Sequence, residues 1–433
     1  MKNFHLLFMM LLGSLLYAQD TLLITKAMVL EQVESQNLKI QISKQQQRSA
    51  RGQYRQTNAL LLPSISVSHT GIATTNPLMA FGARLNQQIV TAADFNPTLL
   101  NDPDQIEDYA TRIEVKQPLF NLDGISKRKA AKAQWEAATL SSDRTREYMV
   151  LEVEQAYMQL QLAYKAVEVL EKARETAEEN LKQARNQYQQ GILQKSDVLA
   201  VEVRVVEITN QLQSAVSNIE NASNYVSVLM NDNSFPILKP TKDLSVSGTE
   251  DMTNQVSESR KDIQAMAAAS RAYKEQYQAD KMNFLPRLNA FGIYEMHDDQ
   301  VFRGAANGYL IGAELKWDIL EGTKRFGKTQ ESKANYDKSR LELAEYIANS
   351  QVELKKARRM LQDAKSSLEL TTLALEQSRE ALRIRTNRFK QGLEKTSDLL
   401  AAEAQYAQKE LEYYTTIFQH NYTWAYVQFL SRG

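Results

Sequence analysis

One passage of this sequence occurs twice. NQYQQGILQKSDVLAVE occupies residues 186–202 and NRFKQGLEKTSDLLAAE residues 387–403, with Asn, Gln, Gly, Ser, Asp, Leu, Ala and Glu in register. A duplicated unit restricts the chain to folds with internal pseudo-symmetry. Each copy also joins two long helical stretches. Helices are expected over about 125–190 and 323–391 before the turns, and over 197–230 and 398–430 after them. At 1.5 Å per residue the incoming helices reach ~100 Å and the outgoing ones ~50 Å. Two further half-length helices are expected at 37–61 and 260–285, closed by Pro63 and Pro286.

The turns carry their own punctuation. Gly191 and Gly392 stand where a left-handed residue ends a helix. Ser196 and Ser397 are expected N-caps, with Asp197 and Asp398 favouring the positive helix start. Apolar residues recur three and four apart along Val201, Val205, Ile208, Leu212, Ala215, Ile219, Ala222, Val226 and Leu229. They do so again along Leu354, Ala357, Leu361, Ala364, Leu368, Thr371, Leu375, Ser378, Leu382 and then Phe389. A sustained 3.5-residue period is a coiled-coil seam.

Between the short and long helices the period changes to two. Tyr109, Thr111, Ile113 and Val115 alternate with Arg112, Glu114 and Lys116; Tyr309, Ile311, Ala313, Leu315 and Trp317 alternate with a partly charged set. Strands are expected near 64–71, 109–119, 288–296 and 308–320, with a long polar connection at 72–108 and a shorter one at 297–307. The chain thus divides into a first repeat (19–230), an irregular linker (231–250) and a second repeat (251–433). Residues 1–18 have a short positive region at Lys2, an apolar core over 6–17 and Ala18 before the cut, the pattern of a secretory signal. That apolar run is shorter than the ~20 residues a spanning helix needs. No later segment could span as a helix, so any membrane entry must use strands.

Composition removes other functions. The formal net charge is +0, which argues against nucleic acid, and the absence of cysteine excludes disulfides, thiolate metal sites and Cys nucleophiles. No catalytic constellation is visible, and neither enzyme activity nor a cofactor is expected. His297 with Asp298 and Asp299 is a metal-type grouping, but it reads more simply as a solvated turn. Strands with one apolar and one charged face suit a barrel around water, and lipid requires such a sheet to close. Closure takes about eight strands or more. With four strands per chain, either the sheet is not in a membrane or several chains share one barrel.

The layout resembles the TolC family of outer membrane efflux and secretion channels. The resemblance rests on the doubled G-x4-S-D-x-L-A turn (Gly191, Ser196, Asp197, Leu199, Ala200; Gly392, Ser397, Asp398, Leu400, Ala401) and on the strand-to-helix junctions QPLFNLDG and WDILEG. It implies a mainly α fold with a small β part. Two repeats of long helical hairpins would build a trimeric α-helical barrel in the periplasm. Four strands per chain would build a twelve-stranded β-barrel in the Gram-negative outer membrane. It also implies a homotrimer, a periplasmic adaptor, a proton-driven or ATP-driven inner-membrane pump and contact with outer membrane lipid.

By position in the family, Asp398 matches an inner acidic ring at the periplasmic gate and Asp197 an Asp that bonds the neighbouring helix; helix capping alone also accounts for both. The chain departs from the family's lock. Phe389 stands in place of a Tyr and Glu394 in place of an Arg, so Glu394 is expected to repel Asp197 and Lys395 is the candidate substitute partner. Adaptor contact is expected at Gly191, Leu193, Ser196, Gly392, Leu393 and Ser397. Interfacial aromatics are expected at Tyr109, Phe120, Tyr309 and Trp317. The competing reading is a soluble periplasmic coiled-coil scaffold or adaptor. It explains the heptads and the signal, but not strands of paired apolar and charged faces in both halves.

Overall fold

The computed structural model describes residues 21–248 and 255–432. The expected signal at 1–18 and the end of the linker lie outside them. In chain order the elements are β1 (Thr21–Ile24), α1 (Lys26–Gln36), α2 (Leu38–Gln56), β2 (Ser64–Thr74), α3 (Pro77–Asn86), α4 (Pro97–Asn101) and β3 (Ile106–Phe120). Then come α5 (Leu122–Gln189), α6 (Lys195–Met230), β4 (Ile237–Pro240), α7 (Lys261–Met282), β5 (Arg287–Asp298), β6 (Ala306–Lys316), α8 (Lys324–Lys390) and α9 (Thr396–Ser431). None of the described helices is long and apolar enough to cross a membrane. Two compact units form: Met1–Lys44, Ser141–Asp262 and Tyr346–Gly433 make one, Gln45–Leu140 and Ile263–Glu345 the other. Each unit takes segments from both repeats.

In the first unit the heptad seams become the core. Val201, Ile208, Leu212, Ala215, Ile219, Val226 and Leu229 on α6 are buried, as are Leu354, Ala357, Leu361, Ala364, Thr371, Leu375 and Ser378 on α8. Each large side chain so buried contributes roughly 2 kcal/mol of transfer free energy. The linker is more ordered than its composition suggests. Its segment β4 pairs in parallel with β1, Leu22 opposite Leu238, and packs on α6, where the Leu238 N–H donates to the buried Ser223 Oγ at 3.1 Å. Buried Asn37 joins α1 to α2: its Oδ1 accepts from the Lys39 N–H, and its Nδ2 donates to the Leu229 carbonyl at 2.8 Å.

A polar cluster ties the same unit together before α7. Arg260, 2% exposed, forks onto Asp262 at 2.7 and 2.8 Å and donates to the Leu430 carbonyl and to Ser350 Oγ. Burial alone would raise the Asp262 carboxyl, but hydrogen bonds from Arg260 and Tyr346 and the charge of Arg144 bring it down to about 2. A buried carboxylate this well matched stays ionised.

The second unit holds an antiparallel sheet in the order β2-β3-β5-β6. Its register places Val67 opposite Ile113, Ile113 opposite Tyr294, and Tyr294 opposite Tyr309. Residues facing one another across strands share a face. Ile65, Val67, Ile113, Val115, Tyr294, Tyr309, Ile311 and Leu315 therefore make one apolar face. Ser66, Ser68, Arg112, Glu114, Lys116, Glu295 and Glu314 lie on the other, together with Phe291, Ile293 and Leu310. The Arg112–Glu295 ion pair at 3.0 Å joins two strands across that polar face. Gly312 has no side chain because the Phe291 ring lies over it, 2.7 Å from where a Cβ would stand.

Junction residues explain the two strand-to-helix motifs. Asn121 caps α5 by accepting from the Gly124 N–H, and Asp123, 2% exposed, receives Arg287 from the first position of β5 through two bonds of 3.0 and 2.8 Å. In the second junction Trp317 Nε1 donates to the Phe284 carbonyl at 3.0 Å, and Gly322 takes φ +59°.

Two expectations change here. The 72–108 connection holds α3 and α4; Asn76 and Asn96 cap them and Pro77 and Pro97 open them. Proline pre-set at a first helical position outweighs the polar composition that suggested a loop. The strand expected to reach residue 320 stops at Lys316, so Trp317 lies just beyond β6.

Candidate functional site

Both repeated turns close by the same geometry. After α5 the Gly191 N–H bonds the Tyr188 carbonyl and the Ile192 N–H the Gln187 carbonyl, each at 2.9 Å; after α8, Gly392 bonds Phe389 and Leu393 bonds Arg388 at the same distances. This paired 5→2 and 6→1 bonding is a Schellman cap, and it requires a left-handed residue. Gly191 has φ +75° and Gly392 φ +74°.

The serines do not cap the outgoing helices. The N-cap positions are Gln194 and Lys395, so Ser196 and Ser397 are second helical residues, exposed to solvent. Asp197 does serve the helix start, since its Oδ2 accepts from the Gln194 N–H at 3.2 Å. Two extra residues, Lys195 and Ser196, enter the helix because this carboxylate, rather than a serine hydroxyl, closes the first turn.

The two turns are pinned to each other. Ala184, Val198, Val201, Phe389 and Leu399 form a buried cluster bordered by Leu181, Leu193, Leu382 and Leu400. Gln187 Nε2 donates to the Phe389 carbonyl at 2.9 Å. Phe389, fully buried, thus acts as a plug between the copies. Leu193 turns into this cluster, whereas Leu393 is 63% exposed and Ile192, beside Gly392 across the turns, is 57% exposed.

Charge at the turns is arranged differently from the sequence expectation. Glu394 is held by Arg385 and Arg388, both at 2.7 Å, so its charge is compensated within its own turn. Arg385 also stands 3.7 Å from Asp398. Lys395 is left as an exposed cap residue, outside this clamp. Arg385 and Arg388 sit nine and six residues before Glu394. Their spacing matches no single-helix pairing rule, and only the reversal at Gly392 brings them to the carboxylate.

A further buried group lies along the same hairpins. Glu403 on α9 accepts from Asn180 Nδ2 on α5, while its Oε2 and the Nε of Arg204 on α6 are both buried without a partner. They border a cavity of about 50 Å³ shared with Lys172, Thr176, Tyr406 and Glu410. Burial pushes the Glu403 carboxyl up to about 7, against the opposing pull of Asn180 and Arg204. Nothing in the heptad pattern distinguishes this glutamate from its exposed neighbours.

The sheet aromatics lie at different levels along the strands. Tyr109 lies over Gly71 opposite Asp298, and Tyr309, 79% exposed, stands opposite Tyr294; Phe120, past a bulge and opposite Leu288, shares the helix-proximal end with Trp317. His297 bonds Asp108 at 3.1 Å, and Asp298 accepts from the Gln300 and Ala305 N–H groups, closing the β5–β6 turn. No group of metal-ligating side chains occurs among the described residues.

A carboxyl whose folded value lies above its ordinary 4.5 stabilises the fold fully below that value, and the contribution is lost as pH rises through about 7. Glu403→Gln should remove this loss. Thermal unfolding compared at pH 5 and pH 8 should show a gap between variant and parent that widens at pH 8 by on the order of 3 kcal/mol. Parallel pH profiles would count against the assignment.

The family model described as outer membrane efflux protein matches residues 29–232 and 252–416. The Campylobacter jejuni CmeC outer membrane channel has a similar structure, with TM-score 0.80 at 16% identity over 94% of this chain and 85% of that one. The Vibrio cholerae outer membrane protein VceC gives 0.77 at 15% over 94% and 96%. The open state of the Neisseria gonorrhoeae MtrE outer membrane channel gives 0.77 at 16% over 94% and 89%. No curated protein sequence compared with the chain matches it.

Proposed function

The chain belongs to the outer membrane efflux protein family, and on that premise we propose that it is the exit duct of a tripartite efflux or type I secretion system. It is a channel, not an enzyme. Three copies pool their sheets into one twelve-stranded barrel in the Gram-negative outer membrane, and their helices form an α-helical barrel in the periplasm. Substrate arrives from a periplasmic adaptor and an inner-membrane pump driven by protons or ATP, so the duct itself needs only a wet passage.

One observation carries this reading. The sheet has an apolar face with Ile65 and Val67 each 68%, Ile311 75% and Leu315 66% exposed, and its edge strands β2 and β6 pair on one side only. A water-soluble scaffold would present this whole face to solvent, an aggregation hazard. In hydrocarbon the face is at home, but each bare edge group costs several kcal/mol until another chain supplies a strand. Phe120 and Trp317 at the helix-proximal end of the sheet and Tyr109 near the other end suit the two aromatic girdles of such a barrel, with Tyr309 on the lipid face between them.

At the turns, Asp398 supplies one carboxylate per subunit to a cation-attracting ring, tempered by Arg385 of the same chain. The exposed Ile192 and Leu393, flanked by Gly191, Ser196, Gly392 and Ser397, form the adaptor contact, while Leu193 serves the internal cluster. A bulky residue at either glycine is strained by the left-handed backbone whatever the partner, so the exposed side chains give the cleaner test.

Ile311 and Leu310 are adjacent but lie on opposite faces. Ile311→Arg should cost about 2–4 kcal/mol in the membrane and largely abolish heat-modifiable oligomers in outer membrane fractions, whereas Leu310→Arg should be tolerated. Equal tolerance at both positions would sink the barrel reading. Asp398→Ala should lower cation preference in planar bilayers by severalfold; unchanged selectivity would leave Asp398 a helix-start residue. Ile192→Asp combined with Leu393→Asp should abolish export in cells while the oligomer stays intact, and retained export would contradict the adaptor contact.

A further inference from the structure

The β2–β3 connection is a built substructure. Thr91 and Asp94 close a tight turn, Arg84 pairs with Asp94 at 3.0 Å, and Phe81 meets Phe95 edge-on at 5.6 Å. Its seat is on a definite side of the sheet. Ala80 and Ala83 of α3 pack on Ile106, and Gln87 donates to Asp108, which also bonds His297. Ile106 and Asp108 have the same parity along β3 as Arg112, Glu114 and Lys116, and the β3–β5 register puts His297 on the same face as Glu295. The helix therefore rests on the polar face, at the end of the sheet away from Leu122, where α5 begins.

Its amphipathicity is inverted for a helix bathed in water. The small residues Ala80 and Ala83 face the sheet, 1% and 3% exposed. Leu78 and Leu85, seven apart and on the opposite side at 100° per residue, are 81% and 50% exposed. In a barrel whose polar face lines the passage, that outward side looks across the passage, toward the same segments of sister subunits. We infer that residues 77–101 form a cap inside the outer mouth, and that the Leu78/Leu85 side is a contact surface for the caps of the sister subunits. The inference rests on the duct reading above. Three such caps make an apolar constriction, a second sizing point besides the Gly191 and Gly392 turns, which narrows the wet passage without sealing it to small ions.

The absence of cysteine in the chain makes the test direct. Leu85→Cys channels in outer membrane vesicles are treated with a short bis-maleimide and run on denaturing gels. Covalent dimers are expected for most chains, and Leu78→Cys serves as a second site in case the first variant fails to assemble. Ile311→Cys, on the lipid face, should give none. Monomer bands alone at both cap positions, in preparations that still run as oligomers unheated and still conduct, overturn the cap and leave the duct standing. Equal cross-linking at Ile311→Cys overturns it too, because the dimers would then report random collision. Parent protein that neither oligomerises nor conducts overturns the duct and the cap with it.

Discussion

Unpaired backbone at the edges of the small sheet governs the rest of the protein. Strands β2 and β6 each offer a row of N–H and C=O groups on their outer side, and the face between them is apolar. Water would satisfy the edges but not the face; hydrocarbon would satisfy the face but not the edges. On the proposed duct reading, a closed sheet built from several chains meets both demands. The ion pairs and glycines inside the sheet then become intelligible. Arg112–Glu295 ties strands across the polar face, and Gly71 and Gly312 make room for aromatic rings that cover neighbouring backbone.

The helical hairpins depend on a second constraint, the reversal of a very long helix without loss of its last carbonyl bonds. Gly191 and Gly392 solve it identically, because a left-handed residue at that position recovers two of the orphaned carbonyls. Everything specific is added around that shared geometry. Phe389 and Gln187 bind the two reversals together, and Arg385 and Arg388 neutralise Glu394. The two reversals are therefore held to each other by contacts within one chain.

Much of this was legible from periodicity. The seam residues on α6 and α8, the end of α5 within one residue of its expected stop, and the alternation along β3 and β6 follow from patterns of 3.5 and 2 that the backbone itself imposes. Cap chemistry was legible only in part. Ser196 and Ser397 looked like N-caps, yet the helix begins a turn fragment earlier because Asp197 bonds back to the Gln194 N–H. The α3–α4 substructure was missed, since its helices are short and the large apolar residues Leu78 and Leu85 of α3 face away from the sheet, which defeats an amphipathic reading. Arg385, Arg388 and the buried Asn180–Glu403 bond join residues distant along the chain, so no local pattern announces them.

The duplicated passages show where sequence stops. By itself the sequence determined the repeat, the helix lengths and the two glycine reversals, because these are properties of a backbone read locally. Only the tertiary structure decided what each copy does. Tyr188 and Phe389 occupy the same place in the repeat, yet Tyr188 is 46% exposed and Phe389 is fully buried. Glu202 and Glu403 are likewise equivalent, but Glu202 forms an exposed pair with Arg185 while Glu403 is enclosed beside Asn180. Copies that pack through unlike faces cannot bury the same residue twice, so packing, not sequence, assigned the plug and the buried carboxyl to the second copy.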